Sequence, residues 1–594
     1  LIIFINNFIQ MLYLHTKTLI VRNKILFILS LILLISCKED RDMKSNIVVS
    51  HMYSQPDGLH PFNNNSVMRS EIFALTQRTL LRLDIESLEY IPSLLKDLPT
   101  SSEDNKTFYF ELKDNVKWDD GSQLTAEDVI FSSKIMLCHL TDNSQIRPIY
   151  TSVIKSVDPD PLNPLKFSMT AKDIKWTAKT IMGGIYVQQK KLWDPNGVLD
   201  DISFEQIQNK SFEETKEISN WFNNFNSADN SYKIENLHGL GPYKVSEWKT
   251  EQYITLEKKK KWWGANEESL YSNAFPEKII FKLIKEPAAV ELALKNQDID
   301  VTTNVGTNEL LKLRKKKYFT ENYESDFKER YGISYIGLNM RPDGITQKPF
   351  FVDQRVRRAI AHLIPVEEII EVIMYGHASR QAANVSPLKK TYNDTLKLIE
   401  LDIDKANKLL DEAGWIDTDG DNVRDKVING KKIPFEFDFS YMQNALSTEI
   451  VLIMKESMYK AGVVANPNGM DFNLFYKNAA NHKFDAMLGG WGSSAAYSNP
   501  MQLWHTSSWV NKGSNFCGFG DAESDALIDE ANNTLDYETH RNALLKLQAR
   551  IYEDQPYVFL YTSKRKFAMH KRFKNRKMYF ESPGVLLNNL ELAN

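Results

Sequence analysis

Between residues 47 and 560 the apolar residues change period again and again, from two to about 3.6 and back. This alternation limits the fold more than any other feature. Thr107-Phe108-Tyr109-Phe110-Glu111-Leu112 places Phe108, Phe110 and Leu112 on one face of a strand. Residues 67–83 instead space Ile72, Leu75, Thr79 and Leu83 at helical intervals. Further strands read out at 47–49, 279–284, 435–439 and 557–560, and helices at 287–295, 353–363, 406–413 and 544–551. Pro365 opens another helix, with Ile369, Ile370 and Ile373 inward and Gly376 just past its end. Thr125-Ala126-Glu127-Asp128 reads as a capping box that starts a helix running to Met136. Residues 194–236, rich in Asn, Asp, Glu and Ser, read as a partly helical, mobile surface excursion. There is no fixed-length repeat, which excludes a solenoid and points to α/β lobes. At 594 residues the chain exceeds one ordinary core, so two or three lobes are expected.

Charge and cysteine usage narrow the function classes. A net charge of −4 gives no general attraction to nucleic acid. The basic clusters at 258–261 and 314–317 therefore read as solvated faces, with Trp262-Trp263 as packing. There are three cysteines, Cys37, Cys138 and Cys517, and no metal-binding spacing. Cys138 and Cys517 can pair or remain buried thiols. No Gly-x-Ser-x-Gly elbow, His-Glu-x-x-His helix or Walker loop appears, so an exported hydrolase lacks a nucleophile signature.

The N-terminus reads as an address. Lys17, Arg22 and Lys24 precede an uncharged apolar run at 25–35, long enough for export and too short to span a bilayer. Leu34-Ile35-Ser36-Cys37 resembles the bacterial lipobox, in which the cut falls before the cysteine and the cysteine thiol receives diacylglycerol. The reading is a signal peptide at 1–36 (1–10 lying outside the translated frame, before Met11), a lipid anchor on Cys37 and a tether at 37–45. This predicts an exported protein, lipid-anchored to a bacterial membrane and facing the periplasm or the cell surface.

The strand at Thr107 leads into Val116-Lys117-Trp118-Asp119-Asp120-Gly121 and then Leu124-Thr125-Ala126-Glu127-Asp128-Val129. With these motifs in this order, the segment Leu94 to Phe131 resembles the extracellular solute-binding family 5, which serves peptide and nickel ABC importers. Further matches are Leu59-His60-Pro61, Gly239-Leu240-Gly241-Pro242-Tyr243, Asp298-Ile299-Asp300, Leu338-Asn339, Arg355-Val356-Arg357-Arg358-Ala359-Ile360, Ala413-Gly414-Trp415 and Gly490-Trp491. The resemblance spans roughly residues 47–565. It implies an α/β, two-lobed periplasmic-binding-protein type II fold, with an extra subdomain on the first lobe and a ligand cleft between lobes. We expect the first lobe at 46–80, 235–325 and 555–594, the subdomain at 81–234 and the second lobe at 326–554.

The resemblance also implies a function: capture of a peptide or peptide-like solute by lobe closure, and delivery to a permease with its ATPase. The chain would act as a monomer, without a cofactor, a catalytic group or nucleic acid. The expected ligand-binding residues are Trp491, Gly490, Gly492 and Tyr497 in the second lobe, Gln55 after the first strand, Asn339 near a crossing, and Tyr150. In peptide-binding relatives an Asp after the Trp holds the ligand's ammonium; here Ala496 occupies that position. The alternative is a sensing or scavenging lipoprotein of the same fold that binds a sugar-containing molecule or a metal complex. Asp417, Asp419, Asp421 and Asp425 alternate as calcium ligands do, without the EF-hand glutamate; a polar surface loop is the other reading.

Overall fold

The computed structural model describes residues 42–64, 66–144, 146–496, 499–510 and 513–593. The signal, Cys37 and the tether up to residue 41 lie outside the described residues. Residues 42–45 form a turn of their own, in which the Ser45 N–H donates to the Asp42 carbonyl at 3.2 Å. Asn46–Asn594 forms one compact unit.

Two sheets define two lobes. The first has seven strands in the order Tyr323–Lys328, Arg565–His570, Val301–Thr302, Ile47–Met52, Lys278–Leu283, Tyr253–Lys258 and Tyr243–Lys249. Ile47–Met52 runs parallel to both of its neighbours. Alternation along it buries both faces: Val48 joins one core with Ile279 and Phe281, and Val49 joins another with Val290 and Leu294. The second sheet has five strands, Val464–Met470, Glu436–Met442, Ala486–Gly492, Gly332–Leu338 and Tyr557–Phe559. Ile336 and Leu338 face one core with Phe437 and Phe439, while Ile333 and Tyr335 face the other with Met487 and Tyr557. Helices cover both sheets, and this is the mixed α/β architecture.

A four-stranded antiparallel sheet (Thr100–Ser101, Thr107–Glu111, Lys166–Ala171 and Ile154–Pro159) organises the extra subdomain. Its helix Ala126–Leu137 begins at the expected box, where Asp128 accepts the Thr125 N–H at 3.1 Å. Residues 194–236 are more ordered than their composition suggests. They hold helices Phe204–Asn209 and Lys216–Phe225, and Ile218, Phe222 and Phe225 are buried in the subdomain core.

The chain passes between the lobes twice. Residues 329–331 link Tyr323–Lys328 to Gly332–Leu338, and Lys564 links Tyr561–Ser563 to Arg565–His570. Lys564 pairs with Glu329 at 3.1 Å, which ties the two crossings together. The second crossing corrects the expected boundary at 555, because Tyr557–Phe559 pairs with Gly332–Leu338 in the second sheet. The first sheet likewise extends past 325, to Lys328.

Two local expectations also change. The helix at Val67–Thr76 ends when the Gln77 N–H bonds to the Phe73 carbonyl, and Leu81–Leu83 becomes a strand against Tyr90–Pro92. After Pro365 the helix lasts only over Val366–Glu368 and widens into a π-helical turn at Ile369–Ile373. Cys138 and Cys517 are both free and buried. Among the described residues no helix is long and apolar enough to cross a membrane.

A candidate ligand site between two lobes

The second-lobe wall is built on the strand Ala486–Gly492. Gly332–Leu338 pairs with it along its whole length, from Ala486↔Leu338 to Gly492↔Gly332. On the other side, Glu436–Met442 pairs only with Ala486, Met487 and Leu488. Among the described residues, the backbone of 489–492 therefore has an edge with no strand neighbour. It is also nearly bare of side chains. A Cβ added at Gly490 would meet only the Ile333 carbonyl, at 3.3 Å, and one at Gly492 would meet nothing within 4 Å. An extended ligand can thus reach hydrogen-bonding distance of this backbone.

Alternation turns the neighbouring residues the other way. Gly489 backs onto the Tyr335 ring, where a Cβ would come within 2.8 Å. Trp491 lies on that same inner face, so it does not share a surface with Gly490 and Gly492. Its Nε1 donates to the Tyr557 hydroxyl at 3.3 Å, and its ring sits 5.7 Å from that of Phe516.

Beyond Gly492 the loop 493–496 meets the other lobe. The Ala495 N–H donates to the Glu581 carboxylate, in the C-terminal segment. The Ala496 carbonyl accepts from Lys389 Nζ at 3.1 Å, so the chain's own ammonium sits beside this position. Burial lowers the Lys389 pKa to about 8, with Glu581 opposing, and Lys389 lies 5.9 Å from the Tyr331 ring. Further contacts bring the subdomain to the second lobe. The Trp176 ring stacks on His540 at 3.9 Å and its backbone N–H donates to the Asn532 carbonyl at 2.8 Å, and Lys390 pairs with Glu89 at 3.0 Å.

A pocket partly open to solvent adjoins this junction on the first-lobe side. Ser582 and Pro583, which directly follow Glu581, form part of its wall, and Glu71 and Arg82 line it. Sequence reading did not single out either charge. A lone acid in an amphipathic helix and a lone arginine on a short strand carry no motif.

With this geometry in hand, comparison with known proteins is decisive. The family described as "Bacterial extracellular solute-binding proteins, family 5 Middle" matches residues 89–514. The chain belongs to this family. Among its relatives, the oligopeptide-binding protein AppA of Bacillus subtilis is 26% identical over 473 residues, covering 79% of this chain and 78% of AppA. The nickel-binding periplasmic protein of Escherichia coli is 24% identical over 433 residues, covering 72% of each. The solved structure of Bacillus subtilis AppA with a nonapeptide superposes with a TM-score of 0.70 at 23% identity, covering 92% of this chain and 99% of that one. Campylobacter jejuni NikZ with Ni(L-His) gives 0.71 at 20% identity, with 92% and 99% coverage.

Within this family fold the other expected residues fall in separate places. Asn339 is buried. Its side-chain amide donates to the Phe484 carbonyl at 2.9 Å and its Oδ1 accepts the Arg341 N–H at 3.0 Å, so it satisfies loop backbone. Gln55 accepts the Glu251 N–H at 2.7 Å, which fixes it to the turn between two first-lobe strands. The Tyr150 hydroxyl donates to the Gly184 carbonyl at 3.3 Å, and burial raises its pKa. Tyr497 lies outside the described residues. In the acidic loop, oxygens of Asp417, Asp419 and Asp425 lie within 4.8 Å of one another. Asp421 is not among them. Lys432 Nζ bridges Asp419 at 2.6 Å and Asp425 at 3.1 Å, and so supplies the positive charge there itself.

Proposed function

We propose that this protein is the solute-capturing component of an ABC importer, closing its two lobes on a peptide or peptide-like solute for delivery to a permease and its ATPase. The observation that carries the reading is the bare strand edge at 489–492. An extended peptide can add there as a further strand, each backbone hydrogen bond contributing about 1 kcal/mol whatever the side chains. Lobe closure then supplies contacts from the opposite wall and shifts the open–closed balance. The names of relatives support the same reading, since they include an oligopeptide-binding protein. Capture needs no covalent chemistry and no cofactor, and a single chain contains both walls, which fits a monomer. The lipobox ending at Cys37 supports an exported body tethered by lipid at the periplasmic or outer face.

A second reading, of the same fold scavenging or sensing a non-peptide ligand such as a metal complex, draws on Ala496 in place of the ammonium-binding Asp and on the nickel-binding relative.

Gly490→Val separates these readings. The added Cβ would press only on the Ile333 carbonyl, at 3.3 Å, which a shift of a few tenths of an ångström relieves, and the side chain would stand in the ligand's path along the edge. We expect peptide affinity, measured by calorimetry, to fall at least about tenfold with unchanged thermal unfolding. Unchanged affinity for the same peptide would reject the edge as the binding surface. Tight binding of nickel complexes, with no peptide bound, would favour the second reading.

A further inference from the structure

The first-lobe cavity holds one negative and one positive side chain, neither neutralised by the other. Among the described residues the Glu71 carboxylate has no hydrogen bond or ion pair; the charge that acts on it is Arg565. Arg565 is itself engaged, donating to the Glu581 carbonyl at 3.4 Å and to Ser582 Oγ at 3.1 Å. The Arg82 guanidinium lies 3.4 Å over the Tyr271 ring, with Asp84 the nearby acid that acts on it, and among the described residues its Nε is buried without a hydrogen-bond partner. The rest of the wall is mostly aliphatic, with Leu83, Ile85, Val301 and Leu586. Leaving two charged groups unpaired in a partly enclosed space is unfavourable unless something else completes them.

We infer that this cavity is a subsite for a dipolar ligand of amino-acid or dipeptide size, with its ammonium on Glu71 and its carboxylate on Arg82. Its aliphatic side chain rests on the Leu83–Ile85–Leu586 wall. The inference rests on the reading of the chain as a peptide receptor, and it identifies the amine anchor that Ala496 cannot provide. The place is suited to that role, because the cavity wall at Ser582 continues from Glu581, which receives the loop that follows the bare strand edge.

Charge state gives the subsite a pH signature. Burial pushes the Glu71 carboxyl up to about 7, with Arg565 opposing, and the other ionisable groups in the cavity, Arg82 and Tyr271, do not titrate near neutrality. An ammonium pairs with the ionised carboxylate, so affinity for a free amine should rise from pH 6 to a maximum between 7 and 8 and fall above it, as the ligand's α-amine (pKa about 8) loses its proton.

The test is calorimetry of the full-length protein with Leu-Leu, N-acetyl-Leu-Leu and Leu-Leu-amide, for wild type, Glu71→Gln and Arg82→Met. Thermal unfolding is measured on each protein. The expected result is binding of Leu-Leu by the wild type and a loss of about tenfold to a hundredfold on blocking either end. Glu71→Gln should abolish the cost of acetylation and flatten the pH dependence. Arg82→Met should abolish the cost of amidation. If both folded variants bind Leu-Leu as the wild type does, the subsite is rejected while peptide capture stands. If the wild type binds long peptides but not Leu-Leu, the inference also fails and the importer reading survives. If no peptide of any length binds, both fall.

Discussion

Asp300→Ala is expected to destabilise the folded protein by about 3–5 kcal/mol, the usual effect of stranding one member of a buried ion pair. Asp300 has no solvent exposure, and Arg572 is almost as buried. Arg572 Nε reaches Asp300 Oδ1 at 2.8 Å, while Oδ2 accepts from Arg572 Nη2 at 3.0 Å and from the Val49 N–H at 2.7 Å. Arg572 also donates to the Ile47 carbonyl at 2.5 Å. One carboxylate therefore joins the first strand, the middle of the chain and the C-terminal segment of the first lobe. Alanine would leave the guanidinium and the Val49 N–H uncompensated. Urea unfolding at neutral pH measures the loss. The double variant Asp300→Ala/Arg572→Met should recover part of it, because the stranded charge is gone. A loss below about 1 kcal/mol would show that the pair is not structural in this sense.

Asp128→Ala is expected to cost about 2–4 kcal/mol, with the loss centred on the extra subdomain. The Asp128 carboxylate accepts from three groups: the Trp118 indole at 3.2 Å, the Thr125 N–H at 3.1 Å and the Lys190 N–H at 2.8 Å. It thereby caps a helix, holds the Trp118 turn and anchors a second segment sixty-two residues away in sequence. Asp128→Asn keeps an acceptor oxygen and should lose less than the alanine variant. Equal losses would mean that shape, and not hydrogen bonding, is what the position requires. Hydrogen exchange across residues 116–137 would locate the effect.

These two predictions bear on what the sequence revealed. The motifs that disclosed the family are structural devices. Trp118 and Asp128 bond each other, Asp300 holds Arg572, and Asn339 satisfies loop carbonyls. The Trp118–Asp128 pair lies within one short motif and was legible without a structure, whereas Asp300 and Asn339 find their partners 272 and 145 residues away, which the sequence does not show. The strand alternation at Thr107–Glu111 was also legible, since one face is buried and one is wet. Leu83 misled, because helical spacing by chance runs past a helix end that is set by tertiary pairing with Tyr90–Pro92.

The site was less legible. Gly490 and Trp491 were grouped as ligand-binding residues without a strand being read there, and their opposite orientations follow from alternation along Ala486–Gly492, which pairs with Gly332–Leu338. The free edge at 489–492 exists because Glu436–Met442 stops pairing at Leu488, a relation between distant segments. Glu71 and Arg82 face one cavity although they stand on a helix and a strand with unrelated patterns. A charge in an amphipathic segment signals solvent by default, and only the fold reveals that, among the described residues, the Glu71 carboxylate and Arg82 Nε have no hydrogen-bond partner.

Native mass spectrometry of the purified mature protein, after incubation with a protein digest, addresses peptide capture most directly. A closed pair of lobes with a vacant strand edge should yield one-to-one adducts whose added masses are those of peptides, and Gly490→Val should lose them. A spectrum showing only the bare chain in the presence of abundant peptides would contradict the account.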